Sequence, residues 1–129
     1  MSTQAKQELL RFLLTGMTAV ATDLCSYYLL MSTIDIDAAK AISFILGSVI
    51  AFFMNKMWTF ESNSKVSSTV IQFSLLYSAT FLANVVVNHL LIQLNTGMIV
   101  AFIFATATST VLNFIGMKFW VFKPKSIAI

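Results

Sequence analysis

Three cations stand where a strongly apolar chain could hold an anion: Arg11, Lys56 and Lys118. The two lysines open the same short pattern, in which Lys56, Trp58 and Phe60 match Lys118, Trp120 and Phe122. A cation beside a membrane is worth about 1 kcal/mol against an anionic surface, so these three are candidate ligands for a lipid phosphate. A plainer reading has them set topology and snorkel, with Trp58 and Trp120 as interfacial anchors. A second set is polar and lies inside apolar runs: Asp23, Asn55, Asn84, Asn88 and Asn113. A carboxylate near the centre of a bilayer costs at least ~2.5 kcal/mol, so Asp23 must face other helices or a wet cavity. Gly16, Ala19, Asp23 and Tyr27 share one helical stripe, and Tyr77, Phe81, Asn84 and Asn88 form a comparable one. Ser43, Gly47, Ala51 and Asn55 would add to these, as would Thr106, Ser109, Thr110 and Asn113. Together they predict a polar cleft. The competing readings are polar glue between helices, with Asp23 protonated or bonded to Asn84, and a proton relay.

Other chemistry finds little support. His89 is the single histidine and Cys25 the single cysteine, which leaves no second soft ligand for a metal and no internal disulfide. His89 reads as an interfacial residue and Cys25 as packing. The acidic residues Glu8, Asp23, Asp35, Asp37 and Glu61 are too scattered to form a carboxylate pair. Neither enzymatic catalysis nor a cofactor is expected.

The elements that must position these residues are membrane-spanning helices. Of 129 residues, 58% are hydrophobic and 10% charged, and the mean hydropathy is +0.86. A soluble domain so small needs far more polar cover. Four apolar runs, about 10–31, 39–58, 70–94 and 98–122, each approach the ~20 residues that cross ~30 Å of hydrocarbon. No ten-residue alternation recurs to suggest a barrel. The sequence therefore predicts an all-α polytopic membrane protein, a single transmembrane domain over 1–129, with connections too short for a soluble domain. The first run continues past Ala19-Val20-Ala21 through Tyr27 to Leu30, which suits a spanning helix better than a cleaved signal. Lys6, Arg11, Lys56, Lys65, Lys118, Lys123 and Lys125 flank one side of the runs, while Lys40 stands on the other beside Asp35 and Asp37. That bias places both termini in the cytoplasm. The modest net charge of +3 suits anionic lipid better than nucleic acid.

The chain also repeats. A shift of 62 lays Val49, Phe52, Lys56, Trp58 and Phe60 on Val111, Phe114, Lys118, Trp120 and Phe122. A shift of 61 lays Phe12, Leu14, Leu29 and Leu30 on Phe73, Leu75, Leu90 and Leu91, and sets Asp23 opposite Asn84. Four transmembrane helices arranged as two parallel-repeat hairpins follow. With Arg11-Phe12 and Gly16 in the first helix, these doubled endings resemble the GtrA-like family of small bacterial membrane proteins, and the resemblance covers nearly the whole chain. Lysine stands at 56 and 118 where arginine is usual in that family, keeping the charge without the planar fork, and Met117 occupies the place of Asn55.

The resemblance implies translocation of a polyprenyl-phosphate-linked sugar across the bacterial cytoplasmic membrane, for modification of cell-surface polysaccharide. Arg11, Lys56 and Lys118 would then meet the phosphate, while Asp23, Asn55, Asn84, Asn88 and Asn113 line the path of the sugar. One alternative is a non-transporting subunit that anchors a membrane glycosyltransferase. Another is a small multidrug-type, proton-coupled exporter using Asp23, against which the seven-to-one charge bias argues. The expected partners are membrane lipid and the lipid-linked sugar, with a glycosyltransferase and a homo-oligomer left open. Gly47 and Ala51 have the small-xxx-small spacing of a close helix contact, within one chain or between chains.

Overall fold

The computed structural model describes residues 1–123. They form two compact units, Met1–Asn63 and the unit that begins at Ser64. In the first, α1 (Thr3–Leu30) is followed by α2 (Ile36–Met54), which runs straight into a π-helical turn at Asn55–Thr59. In the second, α3 (Val66–Gln93) is followed by α4 (Met98–Gly116), which runs into a π-helical turn at Met117–Val121. All four helices are long and apolar enough to cross a membrane, and no strand occurs among the described residues. The all-α, four-helix expectation holds. Lys125, counted above in the charge bias, lies outside the described residues.

The helices start earlier than the apolar runs. α1 begins at Thr3 rather than near 10, α2 at Ile36 rather than 39, and α3 at Val66 rather than 70. Hydropathy marks where hydrocarbon begins, whereas caps decide where the helix begins. The Ser2 hydroxyl accepts from the Ala5 N–H at 3.1 Å, and Asp35 Oδ2 accepts from the Asp37 and Ala38 N–H groups at 3.1 and 3.2 Å. At 1.5 Å per residue the 28-residue α1 and α3 are about 42 Å long, so each extends beyond ~30 Å of hydrocarbon. Between α3 and α4, Asn95 (φ 60°) and Gly97 (φ 96°) take left-handed backbone, and Thr96 bonds back to the Leu91 carbonyl through its N–H and its hydroxyl. The Asn95-Thr96-Gly97 turn is therefore built as its residue types suggest.

Inside the first hairpin, α2 and its π turn bury a stripe at every fourth residue: Ala39, Ser43, Gly47, Ala51, Asn55 and Thr59. Small residues on that stripe let α1 approach closely. A Cβ added at Gly47 would lie 2.8 Å from the Ala19 carbonyl oxygen and 3.2 Å from Asp23 Cβ. The small-xxx-small spacing thus serves packing within one chain. The facing side of α1 buries Phe12 and Thr15 and half-buries Ala19, Asp23 and Tyr27. Gly16, expected on this stripe, has open space around it, and Thr15 takes its place. The second hairpin repeats the pattern. Ala101, Ala105, Met117 and Val121 are buried on the α4 stripe, and Thr69, Phe73 and Thr80 on α3. Phe81 and Thr106, expected on the inner faces, are exposed.

Large apolar side chains cover the outside: Met17 is 69% exposed, Leu29 74%, Ile99 76% and Phe102 65%. Apolar faces of this extent suit lipid or another apolar surface rather than water. Cys25 shares the exposed surface rather than packing inside.

Candidate functional site

The basic ends of both hairpins are π-helical, which the sequence did not announce. In a π turn each N–H bonds five residues back, and Phe60 N–H accordingly reaches the Asn55 carbonyl at 2.9 Å and Phe122 N–H the Met117 carbonyl at 2.8 Å. Such turns are rare and concentrate at functional sites. Lys56 and Lys118 each occupy the second position of the turn, half-buried. The Lys56 ammonium donates to the Ser62 carbonyl at 3.1 Å, and the Ser62 N–H returns to the Lys56 carbonyl at 2.7 Å. The Lys118 ammonium lies 5.9 Å from the Phe114 ring centre and 5.7 Å from that of Phe119.

Arg11 closes the first hairpin at this end. Its Nη1 donates to the Trp58 carbonyl at 2.9 Å and to Glu61 Oε1 at 3.2 Å, and its guanidinium carbon sits 5.4 Å from the centre of the Trp58 ring. The last carbonyls of a helix lack partners within the helix, so Arg11 acts as a cap reaching across from α1. Glu61 adopts φ 46°, an uncommon conformation for a side-chain-bearing residue. Its carboxylate is largely exposed, so an incoming anion could displace it from Arg11. Trp58 and Trp120 are both exposed.

Just inside the cap the hairpin is polar. Thr15 and Thr59 hydroxyls meet at 3.1 Å, both buried. Asn55 is 2% exposed, and its side-chain oxygen has no hydrogen-bond partner. An unpaired buried amide costs about 1–3 kcal/mol.

Nearer the α1–α2 connection, Asp23 meets a partner the sequence reading missed. Both carboxylate oxygens accept from the Lys40 ammonium at 2.9 Å, and Oδ1 accepts from the Ser43 hydroxyl at 2.7 Å. Lys40 also lies 5.5 Å from the centre of the Tyr27 ring. Lys40 was expected to stand as a flanking charge beside Asp35 and Asp37, and Asp23 to line a polar cleft or, on the competing reading, to be protonated or bonded to Asn84. Instead an ion pair compensates the carboxylate inside the hairpin. A signal was available, because antiparallel helices bring together residues equidistant from their turn. Asp23 and Ser43 lie ten residues either side of Thr33, and Ala19 and Gly47 fourteen.

The same rule describes the second hairpin. Asn84 donates to the Ser109 hydroxyl at 3.1 Å, and the Thr80 hydroxyl donates to Asn113 Oδ1 at 2.7 Å, each pair equidistant from the Thr96–Gly97 bond. Asn88 is half-buried within α3. Of the candidate cleft residues, then, Asp23, Asn84 and Asn113 bond within their own hairpins, while the Asn55 side-chain oxygen has no partner. Among the described residues no three His, Cys, Asp or Glu side chains converge as a metal site would require. Residues 11–122 match the family profile of the GtrA/DPMS transmembrane domain.

Proposed function

The chain belongs to the GtrA/DPMS transmembrane family, and on that premise we propose that it moves a polyprenyl-phosphate-linked sugar across the bacterial cytoplasmic membrane, without catalysing a covalent step. The observation that carries this reading is the lysine set in a π-helical turn at the end of both hairpins, Lys56 in one and Lys118 in the other. A half-buried ammonium beside a tryptophan matches the depth at which a lipid phosphate lies. Arg11 supplies a third cation through an exchangeable pair with Glu61. Asn55 and the Thr15–Thr59 hydroxyls offer hydrogen-bonding groups to the sugar just inside the first turn. The positive flanks support an orientation with both termini cytoplasmic, which sets the π turns at the inner leaflet.

The ion pair of Asp23 with Lys40 weighs against a proton-coupled exporter, which needs a carboxylate available to its cargo. The test uses purified protein in liposomes and a short-chain lipid-linked sugar. Movement is expected with the protein alone and is expected to be lost in Lys56→Gln/Lys118→Gln, with membrane insertion unchanged. Undiminished movement in that double variant would refute the reading. Movement that requires an added glycosyltransferase would favour an anchoring subunit.

A further inference from the structure

The duplication provides an internal control for the buried amide at the first π turn. Position 55 corresponds to position 117 under the shift of 62, and the two residues are the first of their π turns. Both are buried, Asn55 at 2% exposure and Met117 at 0%. Their backbones do the same work: each carbonyl accepts the i+5 N–H, from Phe60 and from Phe122. A methionine therefore suffices to build this turn, and the amide of Asn55 is not needed for it. The neighbouring positions differ in the same sense. Thr59 and Thr15 stand in the first hairpin where Val121 and Leu76 stand in the second. One π turn is lined by polar groups and the other by apolar ones, although both carry the lysine.

Burial of an amide oxygen with no hydrogen-bond donor, as at Asn55, is unfavourable in a protein interior and more so in hydrocarbon. Leucine or methionine in its place would remove that cost. Retaining it makes sense when a second molecule supplies the missing hydrogen bond. A hydroxyl both donates and accepts, so it satisfies an amide whichever end faces it. Asn55 adjoins Lys56, and the first hydroxyl-bearing carbons of a phosphate-linked sugar adjoin the phosphate.

We propose that Asn55 is the residue by which the protein tells a sugar-bearing polyprenyl phosphate from the bare lipid phosphate, through a hydrogen bond to a sugar hydroxyl next to the phosphate that Lys56 holds; Met117 makes no such distinction. This rests on the lipid-linked sugar reading above and adds a division of labour: both lysines recognise phosphate, and the first hairpin alone recognises sugar.

The experiment measures equilibrium binding of farnesyl phosphate and of farnesyl phosphate bearing one glucose to the full chain in detergent micelles, with farnesol as the neutral control. Asn55→Leu is expected to weaken the glucose-bearing lipid by about fivefold, the scale of one hydrogen bond, and to leave farnesyl phosphate unchanged. It is also expected to melt at or above the wild-type temperature, because an unpaired buried amide has gone. Asn55→Ser, which puts a hydrogen-bonding hydroxyl on a smaller side chain, is expected to recover part of the preference. Met117→Leu changes neither lipid, and Lys56→Gln weakens both. Equal loss for both lipids in Asn55→Leu, or loss for neither, overturns the proposal, as does unchanged discrimination in Asn55→Ala should the leucine variant fail to fold. Wild-type protein that binds neither phosphate lipid sinks the underlying reading as well. Lost transport with the binding preference intact sinks only the transport reading.

Discussion

Gly47 is the position where one methyl group most directly tests the packing of the first hairpin. A Cβ there would stand 2.8 Å from the Ala19 carbonyl oxygen, a backbone atom, and 3.2 Å from Asp23 Cβ. Ordinary contact begins near 3.4 Å, so α1 and α2 must part by about half an ångström. Neither obstacle is the free end of a flexible chain. Overpacking of this kind costs about 1–3 kcal/mol, against a gain of up to ~1 kcal/mol in helix propensity over glycine. Separation also loosens the 2.7 Å bond from Ser43 to Asp23, one turn away. Gly47→Ala is therefore expected to destabilise by about 1–2 kcal/mol. Two other glycines calibrate the effect. Gly16 has nothing within 4 Å, so Gly16→Ala should be neutral or stabilising. Gly116 faces the tips of the Leu76 side chain, which can rotate away, so Gly116→Ala should fall between the two. The assay is reversible unfolding of the purified protein by sodium dodecyl sulfate titrated into mixed micelles, read by circular dichroism. Gly47→Ala as stable as Gly16→Ala would refute the close contact and the argument built on it.

Other outcomes follow from the charged contacts. Lys40→Gln should destabilise the hairpin more than Asp23→Asn, because it leaves a carboxylate unpaired within a spanning helix, and the double variant should recover part of the loss. An additive double-variant cycle in the same unfolding assay would contradict the ion pair. Arg11→Gln should cost about 1–2 kcal/mol through the uncapped Trp58 carbonyl, whereas Glu61→Gln should stay within ~0.5 kcal/mol, since its carboxylate is exposed. Equal effects of those two substitutions on the melting temperature would show that the exposed pair, rather than the cap, is what Arg11 provides.

What the sequence determined by itself is the part of the protein that hydrophobicity and local residue chemistry specify. The four runs declare helices because hydrocarbon demands about 20 apolar residues whose backbone bonds close within the segment. Asn95 and Gly97 declare a turn through the left-handed backbone they tolerate. The doubled Lys-x-Trp-x-Phe ending exposes the repeat, which returns as matching α-to-π helix ends. Tertiary structure decided the rest. On the packed stripe of α1 one member was misplaced, with Thr15 inward and Gly16 outward while Ala19, Asp23 and Tyr27 face α2 as expected, because positions three and four residues before Ala19 lie on nearly the same face and only the contact between the helices decides between them. The partners of Asp23 and Arg11, Lys40 and Glu61, lie 17 and 50 residues away in sequence. They meet only once the antiparallel register of α1 and α2 exists. The π turns arise where an added residue per turn costs helical regularity, and contacts such as Arg11 on the Trp58 carbonyl hold the end of the first one in place. The unpaired side-chain oxygen of Asn55 is likewise a property of its surroundings: the residue is visible in the sequence, but the absence of a partner is not.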